Sequence, residues 1–215
     1  MEGFRVEPFG NSGILVRFGG GSSDARTAAA CLSEPGLKDL QDVTPAYGSV
    51  LLEFAGRPDL AGLCREVRAR LKLAASVPQD AIPRHEIPVC YDGPDLEALA
   101  QRLKMDADEV IRRHAAPDYH VDFLGFSPGF PYLGPLDSRL HVPRLATPRT
   151  RVPAGSVAIG GSHSGIYSIA SPGGWWLIGR TEVRLFSRTL AEGEGSREAF
   201  LLAPGDRVKF VPQAK

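Results

Sequence analysis

Arg149 and Arg151, at alternate positions in TPRTRVPAGSVAIGG (residues 147–161), carry the most specific chemistry in this sequence. In an extended segment, side chains two residues apart leave the backbone on the same side. Two guanidinium forks on one face suit a carboxylate or a phosphate, because each fork can make two parallel hydrogen bonds. A solvated strand edge also carries scattered arginines, so the neighbours matter. Here the pair opens onto PAGS, which includes Ser156, and onto Gly160–Gly161. Bare backbone there permits close approach by a ligand or partner. A second stretch, GFSPGFPYLG (125–134), sets Phe126, Phe130 and Tyr132 among glycines and prolines that suit neither a helix interior nor a central strand. A loop that stiff, aromatic and uncharged predicts the wall of a site or a docking surface. In SPGGWWLIGRT (171–181), Pro172–Gly173 reads as a turn, and Trp175 and Trp176 must face opposite sides of a strand that Arg180 ends. One tryptophan belongs to the core, and the other suits a site or interface.

Other signatures fail on inspection. GGGSSDAR (19–26) sets glycines before a helix, where backbone N–H groups could hold a phosphate, but it lacks the Gly-Lys-Ser/Thr ending of a phosphate loop. GSHSG (161–165) resembles a nucleophile elbow, yet its central residue is His163 and its context is strand–turn–strand. The five histidines show no metal-ligand spacing, so no metal is expected. His114, in IRRHAAP, reads either as a catalytic group or as a helix C-terminal residue favoured by the dipole.

The elements that must position these residues fall into two blocks. The 215 residues are 43% hydrophobic and 23% charged, as in an ordinary globular protein, and 25 basic residues cancel 25 acidic ones. No global field recruits nucleic acid or an anionic membrane. Neither a secretory leader nor a membrane span is expected. Cys31, Cys64 and Cys90 are odd in number and far apart, which suggests reduced thiols in a cytoplasm. Residues 1–80 predict an α/β unit in the order β-β-α-β-β-α. Its helix at 58–75 aligns Leu60, Leu63, Val67 and Leu71 on one face. SVPQDAIP (76–83) reads as a linker. Residues 81–215 begin with a strand at RHEIPVCY and two short helices, the second opened by an Asp106–Glu109 capping box. Short strands then follow at HVDFLGF, GSVAIGG, GIYSIAS, WWLIGR, VRLFS and DRVKFVP, with the spacing of a β-barrel or sandwich. The fold class expected is α+β.

Four runs, YHVDFLGFSPGFPYLGPLD, TPRTRVPAGSVAIGG, GIY and SPGGWWLIGRT, occur in the order and spacing of one family. In them the chain resembles the PxpB/KipI family, the B subunits of bacterial ATP-dependent 5-oxoprolinase, also called allophanate hydrolase subunit 1. The resemblance implies an N-terminal ferredoxin-like α/β domain (1–80) and a C-terminal cyclophilin-like β-barrel (81–215). It implies PxpC-like and PxpA-like partner subunits, ATP bound by the complex, and conversion of 5-oxo-L-proline, ATP and water to L-glutamate, ADP and phosphate. The chain departs from the family pattern GGxQTGIYP at His163, Ser164 and Ser168. It also places Asp122 where an aromatic or small residue is usual.

Two further functions fit the same residues: a KipI-like inhibitor docking on a sensor histidine kinase, and half of a biotin-dependent carboxyltransferase like that of urea carboxylase. Any biotin would come from a partner, because no biotin-attachment motif is present. The expected catalytic residues are Arg149, Arg151, His114 and His163. The expected substrate or interface residues are Phe126, Phe130, Tyr132, Ser156, Tyr167, Trp175 and Arg180. No complete catalytic set stands out, so a site shared across an interface is expected.

Overall fold

The computed structural model describes residues 3–19, 22–34, 36–73, 82–191 and 196–213. The chain divides into two compact units, Met1–Ile82 and Pro83–Lys215. The expected linker falls almost wholly within 74–81, outside the described residues, as do Gly20 and Gly21 of the glycine run.

In the first unit, β1 (Phe4–Phe9), β2 (Gly13–Phe18), β3 (Leu40–Pro45) and β4 (Ser49–Phe54) form an antiparallel sheet in the order β1-β2-β4-β3. Alternation along the strands turns Val6, Ile14, Val16, Val50, Leu52 and Phe54 to one face. There they pack with residues of α1 (Ser22–Ser33) and α2 (Leu60–Leu73). Val67 and Leu71 are buried, and Leu60 and Leu63 border the same core, as the helical spacing requires.

The second unit holds β5 (Arg84–Val89), α3 (Leu96–Leu103), α4 (Ala107–Ala115), β6 (Tyr119–Leu124), β7 (Pro131–Gly134), β8 (Arg149–Val152), β9 (Ser156–Gly160), β10 (His163–Ile166), β11 (Ser171–Gly173), β12 (Trp176–Arg180), α5 (Arg188–Ala191) and β13 (Arg207–Pro212). Seven strands form one sheet, β12-β9-β10-β7-β6-β13-β5, and β8 and β11 form a separate ribbon. The segment after β5 turns back on β12. Cys90 and Arg180 exchange both backbone hydrogen bonds at 2.9 Å, and Gly93 and Asp95 donate to the carbonyls of Ile178 and Leu177. The two sheet edges therefore meet in a nearly closed, barrel-like sheet. The Asp106 carboxylate caps α4 by accepting from the Glu109 N–H at 2.6 Å.

Three expected elements differ. Pro172–Gly173 lies in β11, paired with β8, rather than in a turn. The GIYSIAS strand ends at Ile166. VRLFS forms no strand: Leu185 is buried in the core, but Phe186 makes only an isolated bridge to Phe200. No helix among the described residues is long and apolar enough to cross a membrane.

His114 sits in the last turn of α4, where one sequence reading places it, but its ring lies in the core and not at a reactive surface. It is wholly buried, and Phe210 stacks on its ring at 4.5 Å. The Tyr91 hydroxyl is hydrogen-bonded to Nδ1 at 2.7 Å, and Nε2 to Ser164 Oγ at 2.7 Å. The Ser164 hydroxyl points on to the Ala158 carbonyl at 3.4 Å. Burial holds His114 neutral and pushes its pKa down to about 3. A histidine held neutral in the folded state leaves stability intact above the unfolded value of about 6.5 and removes it as pH falls toward 3. One proton gives a slope of up to about 1.4 kcal/mol per pH unit. Urea unfolding between pH 6.5 and 4.5 should therefore show a steeper loss for the wild type than for His114→Gln. Parallel curves would remove His114 as the source.

Candidate functional site

Strand alternation builds the site on the face of the sheet opposite the main core. Val157 and Ile159 of β9, Ser164 and Ile166 of β10 and Ile178 of β12 serve the main core or its His114 network. The intervening positions serve a second cluster, formed by Phe130, Val152, Ala158, Tyr167, Trp175 and Leu177 with Tyr132 against it. The two tryptophans separate accordingly. Trp175 enters the aromatic cluster, whereas Trp176 borders the main core and donates from Nε1 to the Pro143 carbonyl at 2.9 Å.

Edge-to-face contacts order this cluster. Phe130 meets Tyr132, Tyr167 and Trp175 at centroid distances of 5.3, 5.2 and 5.3 Å. The β9–β10 hairpin under it must be bare. A Cβ on Gly160 would meet the Trp175 ring at 2.5 Å, and one on Gly165 would meet Phe130 at 2.8 Å and Trp175 at 3.0 Å. Of the two glycines that the sequence offered for ligand approach, Gly160 is thus covered by the protein's own Trp175 ring, whereas a Cβ on Gly161 would meet no atom of the described residues within 4 Å.

Phe126 crowns the cluster. It remains 60% exposed while touching Phe130 and Tyr167 edge-on at 5.4 and 6.2 Å. Its φ is +68°, and the Ser127 N–H donates to the Gly125 carbonyl at 2.7 Å, closing a γ-turn of the rare positive-φ kind. For an aromatic residue this conformation costs about 1–3 kcal/mol.

Beside Tyr132 the same face carries a polar pair. His163 Nε2 lies 3.2 Å from Asp122 Oδ2, its Nδ1 lies 3.1 Å from Ser162 Oγ, and Tyr132 meets the imidazole ring edge-on at 6.0 Å. His163 and Asp122 are buried, and Ser162 is exposed.

The structure divides the arginines. Arg149 Nη2 is held by Asp95 Oδ1 at 2.5 Å, and the other carboxylate oxygen of Asp95 accepts the Leu177 N–H at 2.7 Å. Arg151 is exposed and makes no hydrogen bond or ion pair among the described residues. The expected two-fork site on one face does not form, because Asp95 claims one fork. Arg180 lies where the sheet edges meet, bonded to Asp92 at 3.0 Å and Glu182 at 3.3 Å, so its charge is committed there. Ser156 is buried at the start of β9, where its carbonyl accepts the Tyr167 N–H.

Of the expected residues, Phe126, Phe130, Tyr132, Tyr167, Trp175 and His163 come together. His114, Arg149 and Arg180 have structural partners elsewhere. Three residues absent from the expected set belong at the site: Asp122, Ser162 and Arg144, whose guanidinium lies 5.8 Å over the Trp175 ring. Asp122 stands out in the sequence as an acidic residue inside a strand otherwise rich in apolar side chains, at a position where the family pattern usually has an aromatic or small residue. Arg144 carries no local signal, since its ring partner lies 31 positions along the chain.

Comparison with known proteins places this architecture. A family profile described as "Carboxyltransferase domain, subdomain C and D" matches residues 4–193. The 5-oxoprolinase B subunit of Bacillus subtilis (strain 168) is 35% identical over 230 aligned residues, covering 97% of this chain and 92% of that protein. The 5-oxoprolinase B subunit of Escherichia coli O157:H7 is 50% identical over 131 residues, 60% of this chain, and the match spans 57% of that protein. The crystal structure of TTHA0988 superposes with a TM-score of 0.78 at 38% identity, covering 99% of this chain and 40% of that one. The chain therefore belongs to the PxpB/KipI family of 5-oxoprolinase B subunits, within the carboxyltransferase-domain proteins of subdomains C and D.

Proposed function

We propose that this chain is the B subunit of an ATP-dependent 5-oxoprolinase, active only with PxpC-like and PxpA-like partners. The complex would convert 5-oxo-L-proline, ATP and water to L-glutamate, ADP and phosphate in the cytoplasm. The observation that carries this reading is Phe126, an apolar ring held out in solvent by a strained turn above a finished aromatic cluster. Strain of that kind persists where function uses it, and an exposed aromatic anchor suits a partner surface or a substrate wall. The relatives are named as B subunits of 5-oxoprolinase, and that name supplies the reaction and the expectation of other subunits. The first unit has the two layers of a ferredoxin-like unit, a four-stranded antiparallel sheet packed with two helices, in the element order β-β-α-β-β-α rather than β-α-β-β-α-β, and the nearly closed sheet of the second fits a cyclophilin-like barrel.

An unreactive lactam can be opened once its carbonyl oxygen carries a phosphoryl group, and that transfer depends on cations placed where charge develops. Arg151 offers an uncommitted fork, and Arg144 stands at the aromatic cluster. The chain alone should release no glutamate from 5-oxoproline and ATP, and mixing it with both partners should restore release. Phe126→Ala should weaken co-purification with the partners while leaving the fold intact. Turnover by the isolated chain would overturn the shared site.

A further inference from the structure

The turn that carries Phe126 holds two unrelieved costs at adjacent residues. Phe126 takes a φ of +68°, which bulky residues avoid, and the neighbouring Ser127 keeps a buried Oγ without a hydrogen-bond partner among the described residues. The rest of the loop is fastened. The Gly125 N–H donates to the Phe130 carbonyl at 3.1 Å, the Phe130 N–H to the Ser127 carbonyl at 3.0 Å, and the Ser168 hydroxyl to the Pro128 carbonyl at 2.5 Å. Gly129 lies under Phe186 and Phe200, which a Cβ there would meet at 3.2 and 3.3 Å. The tip can relax with these ties intact. Turning the peptide between Gly125 and Phe126 breaks one bond, from the Ser127 N–H to the Gly125 carbonyl, and glycine accepts the new torsion. The Phe126 ring rests on Phe130 and Tyr167, and with it in place those two rings are each 1% exposed.

We propose that Phe126 is a plug over Phe130 and Tyr167, and that a partner subunit which takes the Phe126 ring into an apolar pocket of its own draws the plug and opens an aromatic slot for a compact, uncharged ring. This rests on the reading of Phe126 as a subunit contact. The ring is 60% exposed on the isolated chain, so burial in a partner gains more apolar contact than the two edge-on contacts it gives up. Strain released at the turn adds to that gain, so docking and opening become one event. Phe130 and Tyr167 then present apolar surface to a small planar ring, and a five-membered lactam is of that class. Dependence on partners follows: the isolated chain holds the slot shut, and the partner supplies the differential affinity for the open form.

Two variants of the isolated chain separate strain from plug. Phe126→Ala loses the ring and keeps the left-handed turn, whereas Phe126→Gly loses both the ring and the strain. In urea unfolding the glycine variant should have the higher midpoint, and a midpoint equal to or below that of the alanine variant overturns the strain. The uncharged five-membered lactam 2-pyrrolidinone, followed by the ring-proton shifts of Tyr167, should bind Phe126→Ala about tenfold or more tightly than the wild type, as expected when the open form is a minor state. Equal affinities, or no binding to the variant, overturn the plug. In the assembled wild-type complex the lactam affinity should rise to that of isolated Phe126→Ala. A complex that binds the lactam no better than the isolated chain overturns the coupling to docking. A complex that assembles and never opens 5-oxoproline overturns the function reading, while the two variants still decide the plug.

Discussion

Replacing Asp95 by alanine should destabilise the second unit by about 3 kcal/mol, the largest stability loss expected from one polar substitution in this chain. Asp95 occupies the N-cap position of α3, yet its carboxylate makes no capping bond to the helix. It reaches across to the far edge of the sheet instead, taking the Leu177 N–H on one oxygen and Arg149 on the other. Its own N–H donates to the Leu177 carbonyl at 3.0 Å, so one residue fastens the segment after β5 to β12 by backbone and side chain together. Its removal leaves a buried N–H unsatisfied, at about 1–3 kcal/mol, and strips Arg149 of its counter-charge. Arg149 is partly exposed and regains some hydration, which keeps the total near the lower end for a broken buried pair. Thermal unfolding should show a fall in Tm of roughly 10 °C for Asp95→Ala. Asp95→Asn, which keeps an acceptor for Leu177, should lose less. A change within about 0.5 kcal/mol for Asp95→Ala would mean that the sheet edges are held together by the backbone alone.

That contact shows where the sequence stops being informative. Periodicity and local chemistry were readable: the apolar face of α2, the Asp106 cap, the opposite facing of Trp175 and Trp176, and the aromatic character of 125–134 all follow from spacing along the chain. Each depends on neighbours within a few residues. Partners did not follow. Asp95 meets Arg149 across 54 positions, His114 meets Ser164 across 50, and Asp122 meets His163 across 41. Nothing in the period of a strand says which carboxylate will claim which arginine. The Arg-x-Arg signal was thus correct about charge and silent about commitment. GSHSG failed in an instructive way, because its alternation sends His163 to the aromatic face and Ser164 to the core, where it meets His114. The resulting Ser–His contact has the distance of a nucleophile–base pair but no access to solvent, and it works as a structural tie.

The same division makes Arg149 and Arg151 separable by experiment. Arg151→Lys should lower ATP-dependent glutamate release by the reconstituted complex about a hundredfold, the effect of losing about 3 kcal/mol of charge-assisted stabilisation at a transition state. Charge is retained in this variant, so the loss would come from geometry: an ammonium cannot reproduce the planar fork that grips two phosphoryl or carboxylate oxygens. Because Arg151 is exposed and unbonded among the described residues, the unfolding midpoint of the isolated chain should move by no more than about 0.5 kcal/mol. Arg149→Lys should behave in the opposite way. It weakens the bond to Asp95 and so lowers stability by about 1–2 kcal/mol. Its activity should recover at lower temperature as the fold is restored. Steady-state glutamate release, subunit pull-down and urea unfolding, measured on both variants, separate the outcomes. Lost co-purification with the Arg151 variant would assign that arginine to the subunit interface. Near-wild-type rates for Arg151→Lys in an intact complex would remove it from the reacting site and leave Arg144 as the cation beside the aromatic cluster.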